Sequence, residues 1–152
     1  MNRSKFIRTC CSTVIGLPLS ASLLQGCESL HYAASTVESN GLIVAKSEFL
    51  INSKKVRKFV MVKLESMDYP ICIYRTGMDD YVASLMKCTH KFCELNVGGG
   101  MYSCPCHGSE FSVEGQVLEG PAVNNLKTFQ ITKDDENIYI KKFSSYDILN
   151  SL

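Results

Sequence analysis

CTHKFCELNVGGGMYSCPCHGS, residues 88–109, holds four of the 8 cysteines and two of the 3 histidines of a 152-residue chain. Each end pairs a thiol with an imidazole: Cys88-Thr89-His90 at one and Cys104-Pro105-Cys106-His107 at the other. Eight cysteines in a chain of this size suit a disulfide scaffold, a metal site, or a mixture of the two. One zinc ion accepts two Cys and two His. Zinc sites, however, usually leave two to four residues between paired cysteines, and a Cys-x-His clip does not. A Cys-x-His beside a Cys-x-x-His suits two metals, with each loop giving a sulfur to one iron and a nitrogen to the other.

Outward from this stretch the texture is one of short β-rich runs separated by turn signals. The candidates are 41–50, 57–64, 70–75, 80–88, 101–104, 111–118, 126–133 and 137–143. Asn52-Ser53, Met67-Asp68, Thr76-Gly77, Gly98-Gly99-Gly100, Glu114-Gly115, Gly120-Pro121 and Asp134-Asp135-Glu136 break between them. No 3.6-residue periodicity, repeat or low-complexity segment interrupts the pattern. The expectation is one all-β domain, an antiparallel sandwich or barrel, with both metal-type loops following directly on strands. The glycine run lacks the Lys and helix of a phosphate loop.

The N-terminus reads as an address. Arg3, Lys5 and Arg8 are followed by residues 9–27, TCCSTVIGLPLSASLLQGC, with no charge, a basic region before a mildly apolar one. As a permanent span the stretch is marginal. Leu24-Gln25-Gly26-Cys27 resembles a bacterial lipobox, making Cys27 the expected lipidated residue, and residues 3–8 resemble a twin-arginine signal with Ser4 in the second arginine's place. The expected order is signal segment 1–26, polar tether 27–40, domain 41–143 and tail 144–152, in a protein exported to the outer face of a bacterial membrane and lipid-anchored there. His31 reads as a solvated linker residue. From Cys27 onward 13 positive charges face 15 negative ones, which gives no electrostatic case for nucleic acid.

CTHKFC (Cys88 to Cys93) and CPCHGS (Cys104 to Ser109) resemble the two cluster-binding loops of Rieske iron-sulfur proteins of the cytochrome bc type. Gly120-Pro121-Ala122 is similar to the proline loop that covers the cluster in those proteins. The resemblance spans roughly 41–143. It implies a larger antiparallel framework with a smaller cluster-binding subdomain inserted. It also implies one 2Fe-2S cluster, with Cys88 and Cys104 on one iron, His90 and His107 on the other, and a disulfide between Cys93 and Cys106. Such a bridge closes a loop of about thirteen residues, worth on the order of 3 kcal/mol, and requires an oxidising compartment. Ser109 matches the family serine that donates a hydrogen bond to a bridging sulfide. Two residues on, where bc-type members usually carry a Tyr that donates to a ligand sulfur, this chain has Phe111. One donor fewer lowers the potential, so the middle of the family range of roughly −150 to +300 mV is expected.

The other cysteines and the basic run read as structural. Cys72 lies in an apolar strand as a core thiol, and Cys10 and Cys11 belong to the signal. Lys54-Lys55-Val56-Arg57-Lys58 reads as a solvated hairpin, with partner docking the alternative. The implied function is one-electron transfer at a membrane surface, as a carrier or oxidoreductase subunit rather than an independent catalyst. The implied partners are a cytochrome or other redox protein, quinol, and the membrane through the N-terminus. The alternatives are a subunit of a quinol-oxidising or arsenite-oxidase-like complex, or a structural zinc module.

Overall fold

The computed structural model describes residues 30–39 and 41–141. The signal-like segment, Cys10, Cys11, Cys27 and the tail from Ser144 lie outside the described residues. Those described form fourteen short strands: β1 (Thr36–Glu38), β2 (Gly41–Ala45), β3 (Leu50–Asn52), β4 (Lys55–Val56), β5 (Phe59–Val62), β6 (Ile71–Arg75), β7 (Tyr81–Leu85), β8 (Asn96–Gly98), β9 (Met101–Ser103), β10 (Glu110–Ser112), β11 (Val117–Glu119), β12 (Thr128–Phe129), β13 (Ile131–Lys133) and β14 (Asn137–Lys141). All the strand pairs are antiparallel, and the architecture is all-β.

Three four-stranded sheets are stacked around two cores. The central sheet runs β12-β7-β6-β5, an outer sheet runs β1-β2-β14-β13, and a third runs β11-β10-β9-β8. Alternation within the central strands explains the stacking. Val60, Val62, Ile71, Ile73, Ala83 and Leu85 point to one side and meet Leu42, Val44, Ile138 and Ile140 of the outer sheet. Met61, Cys72 and Tyr74 point to the other and meet Tyr102 and Phe111 of the third sheet, with Cys104 just beyond β9. Covered on both faces, β6 reads ICIY with all four residues buried, an unbroken apolar run. The third sheet lies wholly between β7 and β12 in sequence, as the inserted subdomain.

Four boundaries differ from the sequence reading. The first run, 41–50, stops as a strand at Ala45, and a single 3₁₀ turn, Lys46–Phe49, drops Phe49 into the core against Tyr81 at 5.2 Å. The run 111–118 is two strands folded about Gly115, whose φ of +86° suits glycine; a Cβ there would come within 3.2 Å of Leu126 and Thr128 side-chain atoms. The run 126–133 splits at Gln130, β12 going to the central sheet and β13 to the outer one. Residues 31–38, assigned to the tether, are paired to the body. Met61 N–H donates to the His31 carbonyl at 2.9 Å, Ala33 N–H to the Met61 carbonyl at 2.8 Å, and β1 adds to β2. His31 is therefore no solvated linker residue: its Nε2 lies 2.7 Å from Glu48 Oε2.

Candidate metal centre

Both thiol-imidazole loops leave the inserted sheet or its approach and close on themselves in the same way. In the first, Cys88 N–H donates to the Cys93 carbonyl at 2.8 Å and Phe92 N–H to the Cys88 carbonyl at 3.0 Å. In the second, Cys104 N–H donates to the Ser109 carbonyl at 2.8 Å and Gly108 N–H to the Cys104 carbonyl at 3.0 Å. Each turn needs a left-handed residue four positions after its cysteine: Gly108 at φ +77° and Phe92 at φ +61°. Glycine takes that conformation without strain, whereas a phenylalanine needs support. Tyr69 supplies it by donating its hydroxyl to the Phe92 carbonyl, while Lys87 Nζ sits 4.4 Å from the Phe92 ring centroid.

Three further ties hold the loops together. A disulfide joins Cys93 to Cys106 across a Cα separation of 6.5 Å. The third loop, with a cis Gly120-Pro121 bond, is pinned to the second where Ala122 N–H donates to Ser109 Oγ at 3.0 Å, with Ser109 fully buried. It is pinned to the first where Thr89 Oγ1 donates to the Asn124 carbonyl at 2.6 Å.

Between the loops lie two buried free thiols, Cys88 and Cys104. Burial raises the Cys88 thiol above its ordinary value and the adjacent Cys104 sulfur raises it further, while the His90 and Lys91 backbone pull the other way. A cation held between the loops would offset that cost of ionising the Cys88 sulfur. The rings of His90 and His107 meet edge to face at 4.9 Å. His90 Nδ1 is buried without a hydrogen-bond partner, the state of a nitrogen kept for a metal. The sulfur atoms of Cys93, Cys104 and Cys106 lie within 4.8 Å of one another. Two of those three are consumed by the disulfide, so the donors left are two sulfurs and two imidazoles. This set fits a 2Fe-2S group with mixed Cys and His ligation.

Phe111 lies fully buried in the core under the loops, in register opposite Tyr102. Gly120 and Pro121 are exposed on the third loop. Cys72 is a buried core thiol pushed up to about 12 by burial. Tyr69, Lys87 and the Thr89–Asn124 tie carry no local signal in the sequence, since each depends on contacts made through the fold; only Phe92, bulky at the place where its sister loop has glycine, hints that something must brace it.

Residues 46–130 match the family model described as the Rieske [2Fe-2S] domain. The cytochrome b6-f complex iron-sulfur subunit of Synechococcus sp. (strain JA-2-3B'a(2-13)) is 37% identical over 62 residues, which is 40% of this chain and 36% of that protein. The corresponding subunit of Synechococcus sp. (strain JA-3-3Ab) is 24% identical over 157 residues, covering 97% of this chain and 91% of its own. Over these 62 residues the chain spans about a third of such relatives' length. The crystal structure of the plasma membrane Rieske protein of Synechocystis PCC 6803 superposes with a TM-score of 0.50 at 31% identity, covering 56% of this chain and 87% of that one.

Proposed function

Since the chain belongs to the Rieske [2Fe-2S] family, we propose that it is a one-electron carrier at the outer face of a bacterial membrane, with Cys88 and Cys104 holding one iron and His90 and His107 the other. The observation that carries the assignment is the donor set itself: two buried free thiols and two touching imidazoles, one with an orphaned buried nitrogen, between loops braced by a disulfide. When bound, the 2Fe-2S cluster accepts and returns a single electron. Two thiolates with two neutral imidazoles carry two fewer negative charges than four thiolates, which favours the added electron and raises the potential. Burial of Cys88 and Cys104 keeps water from the sulfurs, and the Ser109 hydroxyl, its oxygen occupied by Ala122 N–H, has its proton to give to an acceptor inside the site. With His90 Nδ1 as the ligand, Nε2 would hold the ring proton. His107, exposed at the tip, is the imidazole within reach of a partner. Ligand imidazoles that keep their second nitrogen protonated would let proton transfer accompany electron transfer, as quinol oxidation demands.

The membrane reading rests on the basic residues 3–8, the uncharged run 9–27 and the lipobox-like Cys27. Among the described residues no helix is long and apolar enough to cross a membrane. A cytochrome as partner is supported by the subunit names of the relatives, and the domain proper is taken as 41–143 with the paired segment 31–38 added. The test is metal analysis with electron paramagnetic resonance of dithionite-reduced protein: two irons and a rhombic Rieske-type signal are expected. A chain that holds zinc, or iron without that signal, defeats the assignment. Detergent co-purification with a cytochrome or molybdenum subunit would place it in a complex, and isolation as a lone monomer would make it a free carrier.

A further inference from the structure

The β3–β4 hairpin belongs to none of the three stacked sheets; it forms a two-stranded ribbon of its own, and residues 50–56 are all exposed. Such a ribbon is marginal alone, and it is held upright from below. Arg57 donates its guanidinium to the carbonyls of Glu48 at 3.2 Å and Leu50 at 2.7 Å, and Asn52 Oδ1 accepts the Lys54 and Lys55 N–H groups at 2.9 Å each in the turn. Leu50, Ile51 and Val56 stand 55%, 38% and 38% exposed, and Leu50 and Val56 share a groove with Met78, which is 91% exposed. Around them Lys54, Lys55 and Lys58 are exposed, and none is in an ion pair among the described residues. Asp135 and Glu136 stand on the groove's other wall, and Asp79 there is already met by Lys46 and Lys133. Apolar side chains ringed by unpaired lysines are the composition of an element that lies in the headgroup region of an anionic bilayer.

The path of the chain puts that ribbon beside the proposed anchor. His31 is clasped to Glu48, at the root of the hairpin. Only three residues separate it from Cys27, so even fully extended chain spans only about 14 Å between them. We propose that the β3–β4 hairpin docks on the anionic lipid surface, its lysines against phosphate headgroups and Leu50, Ile51 and Val56 at the acyl boundary, fixing the orientation of the domain on the membrane. This rests on the reading of residues 1–27 as a membrane anchor, and the two are separated by the test.

The chain has no Trp, so Ile51→Trp places a sole reporter on the ribbon of the full-length protein, with Val56→Trp as a second placement should the first disturb folding. Leu118→Trp, on the exposed β11 of the inserted subdomain, is the control. Flotation with neutral phosphatidylcholine vesicles reads the anchor; failure there overturns the anchor but not the hairpin, whose lysines act on phosphatidylglycerol vesicles. On phosphatidylglycerol vesicles with brominated acyl chains, the hairpin Trp should shift to the blue and be quenched while the Leu118→Trp protein is not. Changing Lys54, Lys55 and Lys58 together to Gln should lower the preference for anionic over neutral vesicles on the order of a hundredfold. A hairpin Trp that stays unquenched on vesicles carrying the protein overturns the proposal, as does equal quenching at Leu118→Trp. A blue shift without vesicles that grows with protein concentration also overturns it, by assigning the ribbon to a second copy.

Discussion

Ser109, just before β10, and Phe111, within it, are both fully buried beside the candidate site. Ser109 Oγ accepts the Ala122 N–H, so Ser109→Ala removes a donor from the site and orphans a buried N–H together. The expected result is a lower potential by redox titration and a loss of about 1–3 kcal/mol in urea unfolding. Phe111→Tyr should raise the potential; a value unchanged by an otherwise folded variant would show that position 111 does not reach the sulfurs. Cys72 tests burial from the far side of the same core. Its thiol is harder to ionise in the folded than in the unfolded chain, so its contribution is whole below about 9 and drains away as pH rises toward about 12. Cys72→Val should flatten the alkaline limb of a stability profile between those values. Ser109, Phe111 and the four candidate donor residues stand out in the sequence because each sits within a few positions of a cysteine motif. Tyr69 was not: it lies 23 residues from the carbonyl it holds, and no local pattern marks a contact that only the fold creates.

The first loop shows how an element is built around a residue that its own backbone disfavours. Phe92 takes the conformation that Gly108 takes freely in the second loop, and the Tyr69 hydroxyl and Lys87 ammonium are spent on it. With the proposed ligand set, Lys87 is also a cation beside a loop that would receive negative charge on reduction. Lys87→Gln should therefore lower the potential, and Phe92→Gly should make the loop indifferent to Tyr69→Phe, a coupling that a double-mutant cycle in thermal unfolding would read. The disulfide acts at the same scale: replacing Cys93 and Cys106 by Ala should cost on the order of 3 kcal/mol. Strands with alternating or continuous apolar runs were legible before the fold was known. Strand β4 lies in the run 54–58 that reads as a solvated hairpin; the short strands β1, β3 and β8 were not legible, since all but Val97 of their residues are exposed, and what puts such residues in strands is the neighbour they pair with rather than a face they bury.

At the scale of the molecule the central sheet serves two cores, so the inserted subdomain and the outer sheet are fastened to opposite faces of the same strands. The outer face is also joined by charge. Asp79, in the turn between β6 and β7 of the central sheet, meets Lys46 at 2.6 Å and Lys133 at 3.2 Å, both from the outer-sheet segments. The Lys46 ammonium first, and Lys133 after it, hold the Asp79 carboxyl below its ordinary value. A carboxyl depressed in the folded state contributes stability above the usual carboxylate range and loses it as pH falls through its folded value. The side chain is half exposed, so the contribution is small and screened by salt. Asp79→Asn should thus shift the acid unfolding midpoint to higher pH at low ionic strength, and that difference should close in about 1 M salt, where the Debye length falls to roughly 3 Å. A shift that persists in high salt would mean that the residue works through packing of the turn, and the two sheets would then be joined by their shared core alone.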